Sequence, residues 1–241
     1  MNNTGLKKIM KAGVRIKVLT GMRIGGSSDS VEIGGIDQPV MRMEVTDASV
    51  ITTELNNEKD KEIKILKRIP YIPGSSLKGR MRGLIELSKK WYNDNGSVKV
   101  DAEGDKELET HLKLFGSPAG NVGATRLAVS DLLPTKETLL SWIDAGLDVE
   151  RELEVKPENV INRVTGKAEH PRYMERVPAG SEFKGEITLL IFDNDDEDKF
   201  KKELEEAVNL INATFIGGSG SRGYGKVSLE MDNFDIVWER S

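Results

Sequence analysis

A single carboxylate, Asp37, stands near the end of a glycine-rich run. The run reads Gly21-Met22-Arg23-Ile24-Gly25-Gly26, then Ser27 to Gly35, then Ile36-Asp37-Gln38-Pro39-Val40, and it holds five glycines. Before it, Val14, Ile16 and Val18 alternate with Arg15, Lys17 and Leu19, a period that predicts a strand. Glycine lets a backbone take positive φ and approach another backbone closely, and Pro39 stiffens the exit. An open loop that presents one acid at the end of a strand is a place for chemistry. Asp-X-Pro is also ordinary turn chemistry, so these residues alone leave Asp37 between the two readings.

Three further stretches are suited to holding phosphate. Pro73-Gly74-Ser75-Ser76-Leu77-Lys78-Gly79-Arg80-Met81-Arg82 places free backbone N–H groups at a helix start. Ser75 and Ser76 add hydroxyls, and Lys78 and Arg82, four apart, share a face. The competing reading is a capped surface helix with a solvated basic side. Gly217 to Gly225 holds five glycines in nine residues, interleaved with Arg222 and Tyr224 and followed by Lys226. Its amides can point at phosphate oxygens, arginine can fork onto a phosphate, and tyrosine offers a stacking face. It precedes a strand and lacks a Gly-Lys-Ser/Thr ending, so neither a dinucleotide fingerprint nor a P-loop describes it. Residues 156–177 carry Lys156, Arg163, Lys167, Arg172, Tyr173 and Arg176, an arm that can wrap a single strand or simply be solvated.

These groups need elements to position them. The predicted core strands and helices fall at about 13–20, 76–92, 125–133, 183–192, 196–213 and 226–238. Leu77, Met81, Leu84, Ile85 and Ser88 mark one buried helix stripe; Phe200, Leu204, Ala207, Val208 and Ile211 mark another. Insertions fall at about 41–70, read as a hairpin with a polar tip, and at 134–182. The order is βαββαβ, so the predicted fold class is α+β, a ferredoxin-like single domain with long insertions. The chain has 241 residues, 37% hydrophobic and 31% charged, with net charge −5 and no cysteine. Without cysteine there is no disulfide and no thiolate zinc site. Two histidines, His111 and His170, argue against a histidine-rich metal centre. No apolar stretch is long enough to span a membrane, and a cytoplasmic setting is expected. Net acidity places any nucleic-acid contact on local basic patches.

The segments GMRIGGS, EIGGIDQPV, YIPGSSLKGRMRGLIE, NRVTGKAEHPRYMERVPAGSEF and FIGGSGSRGYGKV occur in that order. Together they resemble the RAMP-superfamily backbone subunit of type III-A CRISPR (Csm) effector complexes, over about 13–50 and 70–230. The resemblance implies several copies stacked along a CRISPR RNA, with other Csm subunits and a single-stranded target RNA as partners. It implies that the 134–180 arm is a thumb-like hairpin, and that target RNA is cut at intervals of about six nucleotides. The acid of the IGGID motif, Asp37, is then the cleavage residue, working with a weakly bound divalent ion, Mg2+ for instance. It would hold a hydrated ion or act as base toward the 2′-OH. Arg23, Gly25, Gly26, Ser75, Ser76, Lys78, Arg82, Arg163, Arg172, Arg222 and Tyr224 are the expected RNA contacts. Residues 43–68 exceed the short link expected there. Two other functions stay open: a guide-binding subunit whose catalysis lies in a partner, and a CRISPR-RNA processing enzyme.

Overall fold

Strand β1, Leu6–Val18, is the axis of the main sheet. Met10, Ala12, Val14, Ile16 and Val18 are buried while Arg15 and Lys17 face solvent, the period-2 pattern of a strand with one covered side. The computed structural model describes residues 5–25, 39–47, 49, 51, 60–120 and 122–241. β1 begins seven residues earlier than the alternation suggested, because register shifts between Leu6 and Met10 break the strict alternation without ending the pairing.

β8, Glu182–Phe192, pairs antiparallel with β1 along nearly its whole length. β4, Leu127–Val129, and β5, Leu133–Pro134, pair with the far side of β8. The single last strand expected from sequence is two, β9, Val227–Met231, and β10, Asp235–Glu239. β9 pairs with the end of β1 and β10 with its beginning, giving the order β10-β1-β8-β4. Asp232, whose N–H donates to the Gly13 carbonyl at 2.9 Å, marks the break between them.

Two helices, α2 (Gly74–Lys89) and α5 (Glu197–Asn212), pack against each other, α2 also on β4 and α5 on β9. Leu77, Met81, Leu84 and Ile85 of α2 and Phe200, Leu204, Ala207 and Ile211 of α5 are buried. Each of these side chains larger than alanine contributes roughly 1.5–3 kcal/mol of burial. Ser88, expected on this stripe, is exposed, its hydroxyl donating back to the Ile85 carbonyl at 2.9 Å. Asp196 caps α5 through the Lys199 N–H, and Glu197 and Asp198 add negative charge at the positive end of its dipole. A third helix, α3 (Lys106–Phe115), packs on α5. Its His111 is fully buried between Glu203 of α5 (Nδ1–Oε1 2.6 Å) and Glu86 of α2 (Nε2–Oε1 3.4 Å).

The first insertion pairs β2, Arg42–Glu44, with β3, Arg68–Pro70, as the hairpin reading expected. It also contains a short helix, α1 (Lys61–Lys64), which buries Ile63 and leaves Ile65 exposed. In the second insertion, helix α4, Lys136–Asp144, leads to an antiparallel hairpin, β6 (Glu154–Ile161) and β7 (Ala168–Arg176), which forms a sheet of its own. The hairpin is mostly exposed toward its tip, and burial is confined to its base, at Leu153, Met174 and Glu175.

Candidate nucleic-acid interface

Three of the four sequence signals meet around Tyr224. Gly217, at φ +82°, lies where a Cβ would come within 2.1 Å of the Arg23 carbonyl oxygen. Only glycine allows that approach, and the Gly218 N–H donates to the same oxygen at 2.8 Å. Gly225, at φ +72°, donates to the Gly21 carbonyl at 3.1 Å. Residues 21–24 thus lie backbone to backbone against 216–225. The return strand of the hairpin joins them, since Met22 and Val177 exchange both backbone hydrogen bonds, at 2.9 and 2.7 Å.

Tyr224 is 1% exposed. The Lys156 ammonium lies 4.7 Å from its ring centroid and the Arg176 guanidinium 5.5 Å away. Its hydroxyl donates to Glu158 Oε1 at 2.7 Å, and Arg222 Nη1 donates to Glu158 Oε2 at 2.8 Å. Burial, reinforced by Glu158, pushes the Tyr224 hydroxyl up to about 12, so it stays a donor. The Tyr224 hydroxyl, then Arg222, holds the Glu158 carboxyl below its ordinary range. The stacking face expected of Tyr224 is therefore covered by β6 and β7. A cleft of about 410 Å³ opens alongside, lined by Glu158, Asn159, Val160, His170, Arg172 and Arg222. Arg163 is exposed in the turn at the hairpin tip.

Arg23 fills the space between the two glycine-rich segments. Its guanidinium sits beside Gly25 and Gly218, burial pulls it below its usual range, and its Nε is buried with no partner among the described residues. An orphaned cationic donor beneath a glycine-lined wall suits an anion.

The helix-start signal is built differently. The Gly74 N–H donates to Asp131 Oδ1 at 2.9 Å, so a carboxylate of the chain itself already faces the first turn of α2. Lys78 Nζ donates to the Leu127 carbonyl at 2.7 Å; burial, with Arg82 nearby, pulls it down. Arg82 Nε donates to Glu86 Oε1 at 2.7 Å. Ser75 is exposed and Ser76 half-buried. It is Arg80 that connects α2 to the glycine-rich segment, donating to the Phe215 carbonyl at 2.9 Å with its guanidinium 4.5 Å above that ring.

Asp37 and Gly26 lie outside the described residues. Their flanks do not: Gly25 bridges Val40, and the Met41 N–H donates to the Ile24 carbonyl at 3.0 Å. The chain therefore leaves and re-enters this place at one point, beside Arg23. Val40 is anchored by Glu175 of β7, whose Oε2 accepts its N–H at 2.8 Å. Glu175 Oε1 accepts the Leu153 N–H at 2.8 Å, and Arg42 pairs with both carboxylate oxygens. Sequence reasoning missed this anchor: 133 residues separate Arg42 from Glu175, and nothing local marks either one. Among the described residues, no three His, Asp or Glu side chains form a group fit for a metal ion.

A model of the RAMP superfamily matches residues 15–228. The CRISPR system Cms endoribonuclease Csm3 of Methanothermobacter thermautotrophicus is 36% identical over 225 residues, covering 88% of this chain and 79% of that one. The protein of the same name from Streptococcus thermophilus is 34% identical over 226 residues, covering 92% and 87%. Among solved structures, the Methanopyrus kandleri Csm3 crystal structure superposes with a TM-score of 0.58 at 23% identity, over 96% of this chain and 78% of that one. A chain of a Type IV-B CRISPR complex does so at 0.56 and 18%, over 96% and 92%.

Proposed function

The chain belongs to the RAMP superfamily and, within it, to the Csm3 endoribonucleases, and from that premise we propose that it is an RNA-guided endoribonuclease. On this reading it is a backbone subunit of a type III-A interference complex. Several copies line a CRISPR RNA in the cytoplasm beside other Csm subunits, and target RNA paired to the guide is cut at intervals of about six nucleotides. The observation that carries the reading is the junction at Tyr224. Arg23, Arg222, Lys156 and Arg176 converge there on glycine-lined backbone, where both ends of the Asp37 segment emerge. Cations and backbone donors fix a ribose-phosphate strand without reading sequence, which base pairing then supplies. The order β10-β1-β8-β4 under α2 and α5 supports a ferredoxin-like core, and the β6–β7 hairpin supports the thumb.

In the proposed reaction the 2′-oxygen attacks the adjacent phosphorus as its proton passes to a base. The bond from phosphorus to the 5′-oxygen breaks, and the leaving 5′-oxygen takes a proton from water. The products are a 2′,3′-cyclic phosphate and a 5′-hydroxyl. A nucleotide splayed from the duplex by the hairpin can align the attacking and leaving oxygens, and positioning of that kind supplies much of a rate. Asp37 is the proposed base. A divalent ion such as Mg2+ belongs to the proposal as well: Asp37 would hold it, and it would stabilise charge that develops on the phosphate. Assembled complexes carrying Asp37→Ala test the reading: they should bind guide and target normally and cut nothing. Persistent regular cutting would move catalysis to a partner subunit.

A further inference from the structure

The carboxylate of Glu158 sits where a phosphodiester would be gripped. One of its oxygens accepts from Arg222 at 2.8 Å and the other from the Tyr224 hydroxyl at 2.7 Å, with Lys156 Nζ 3.7 Å from the second. A guanidinium, a phenol and an ammonium converging on two oxygens of one anion is the donor set that would hold the two non-bridging oxygens of a phosphate. Glu158 is a residue of β6, so the same contacts hold the hairpin down over Tyr224, whose ring Lys156 and Arg176 cover. Immediately beside it the cleft is open, with Arg172 and His170 in its lining. The Arg222 side chain is 55% exposed and that of Glu158 15%, so the guanidinium can be reached from water while the carboxylate is mostly covered.

The geometry points to Glu158 as an internal stand-in for an RNA phosphate, a latch that occupies Arg222 and Tyr224 in the free chain and is displaced when a strand enters the cleft. This inference rests on the RNA-strand reading and adds a competitor to it. The Arg222 end of the latch is open to solvent and screened, so an incoming phosphate can take up that guanidinium first. While closed, it lowers apparent affinity by the fraction of chains whose cleft is open. Its chemical role is to keep the arginine-bearing cleft from taking up stray anions until a long strand supplies several phosphates at once.

The test is binding of the full chain to an unstructured single-stranded RNA oligonucleotide at low salt. Glu158→Gln keeps the side chain's size and removes its charge. It should bind about three- to tenfold more tightly than the wild type, the gap closing as salt screens the pair. Arg222→Gln should cost less affinity in the wild type than in the Glu158→Gln background, because Arg222 is partly engaged by Glu158 only in the former. Glu158→Asp, too short to reach both partners, should also bind more tightly, and it decides the matter if Glu158→Gln melts early by circular dichroism. Equal or weaker binding by both variants, with the wild type binding RNA, overturns the latch and leaves the RNA reading intact. No binding by any of the three overturns the RNA reading and the latch with it.

Discussion

Arg42 and Glu175 form a buried ion pair, 4% and 0% exposed, that joins the return of the Asp37 segment to the base of the hairpin. Glu175 also carries two backbone N–H groups, from Val40 and Leu153, which have to be met by an acceptor once buried. Glu175→Gln turns one acceptor into a donor facing a donor. It should lower stability by about 3–5 kcal/mol, the usual range for breaking a buried pair from one side, read from the urea unfolding midpoint. Replacing both residues by apolar ones should not restore it, because the two amides stay orphaned.

His111 makes stability depend on pH. Burial pulls its pKa down, but hydrogen bonds to Glu203 and Glu86 outweigh that and the net shift is upward. Both ring nitrogens face carboxylates, and only the imidazolium donates from both. A raised value means full stabilisation below the ordinary histidine range, lost as pH rises through the folded value. The melting temperature should therefore fall between neutral and mildly alkaline pH, and His111→Gln should flatten that slope. An unchanged slope in the variant would assign the effect elsewhere.

Arg23 offers a cation without a partner for its Nε among the described residues. Arg23→Met should weaken single-stranded RNA binding equally for unrelated sequences. The slope of log affinity against log salt should fall by about 0.7, one phosphate's share. A sequence-dependent loss would mean that Arg23 reads bases.

Removing divalent ions should separate binding from cutting. With chelator, complexes should retain target RNA and stop cleaving it, and added Mg2+ should restore cleavage. Undiminished cutting in chelator would leave Asp37 as base with no ion beside it.

Local signals survived best where a residue's role depends on its own neighbours. The stripes of α2 and α5 were legible because burial of one helix face imposes its own spacing. The glycines of 217–225 were legible because close backbone approach excludes other residues. Arg222 and Tyr224 were visible as an interleaved cation and aromatic. Glu158, 64 residues from Arg222, was not visible as their partner, since ion pairs between distant segments leave no periodic trace. The start of α2 shows the converse. Its hydroxyls, amides and cations read as an anion site, yet Asp131, Leu127 and Glu86 already engage Gly74, Lys78 and Arg82.

The order of residues alone determined the class of chain: an α+β protein, with a lone acid in a glycine-rich loop and phosphate-binding chemistry in separate places. Composition and short-range spacing suffice for that, because propensity, capping and glycine's freedom act within a few residues. Folding decided which of those places meet. It brought residues 21–25, 154–158 and 216–225 together around Tyr224 and laid Glu158 across the cations. Such contacts depend on which strands pair and how far the hairpin reaches back over the sheet, and those are properties of the whole chain.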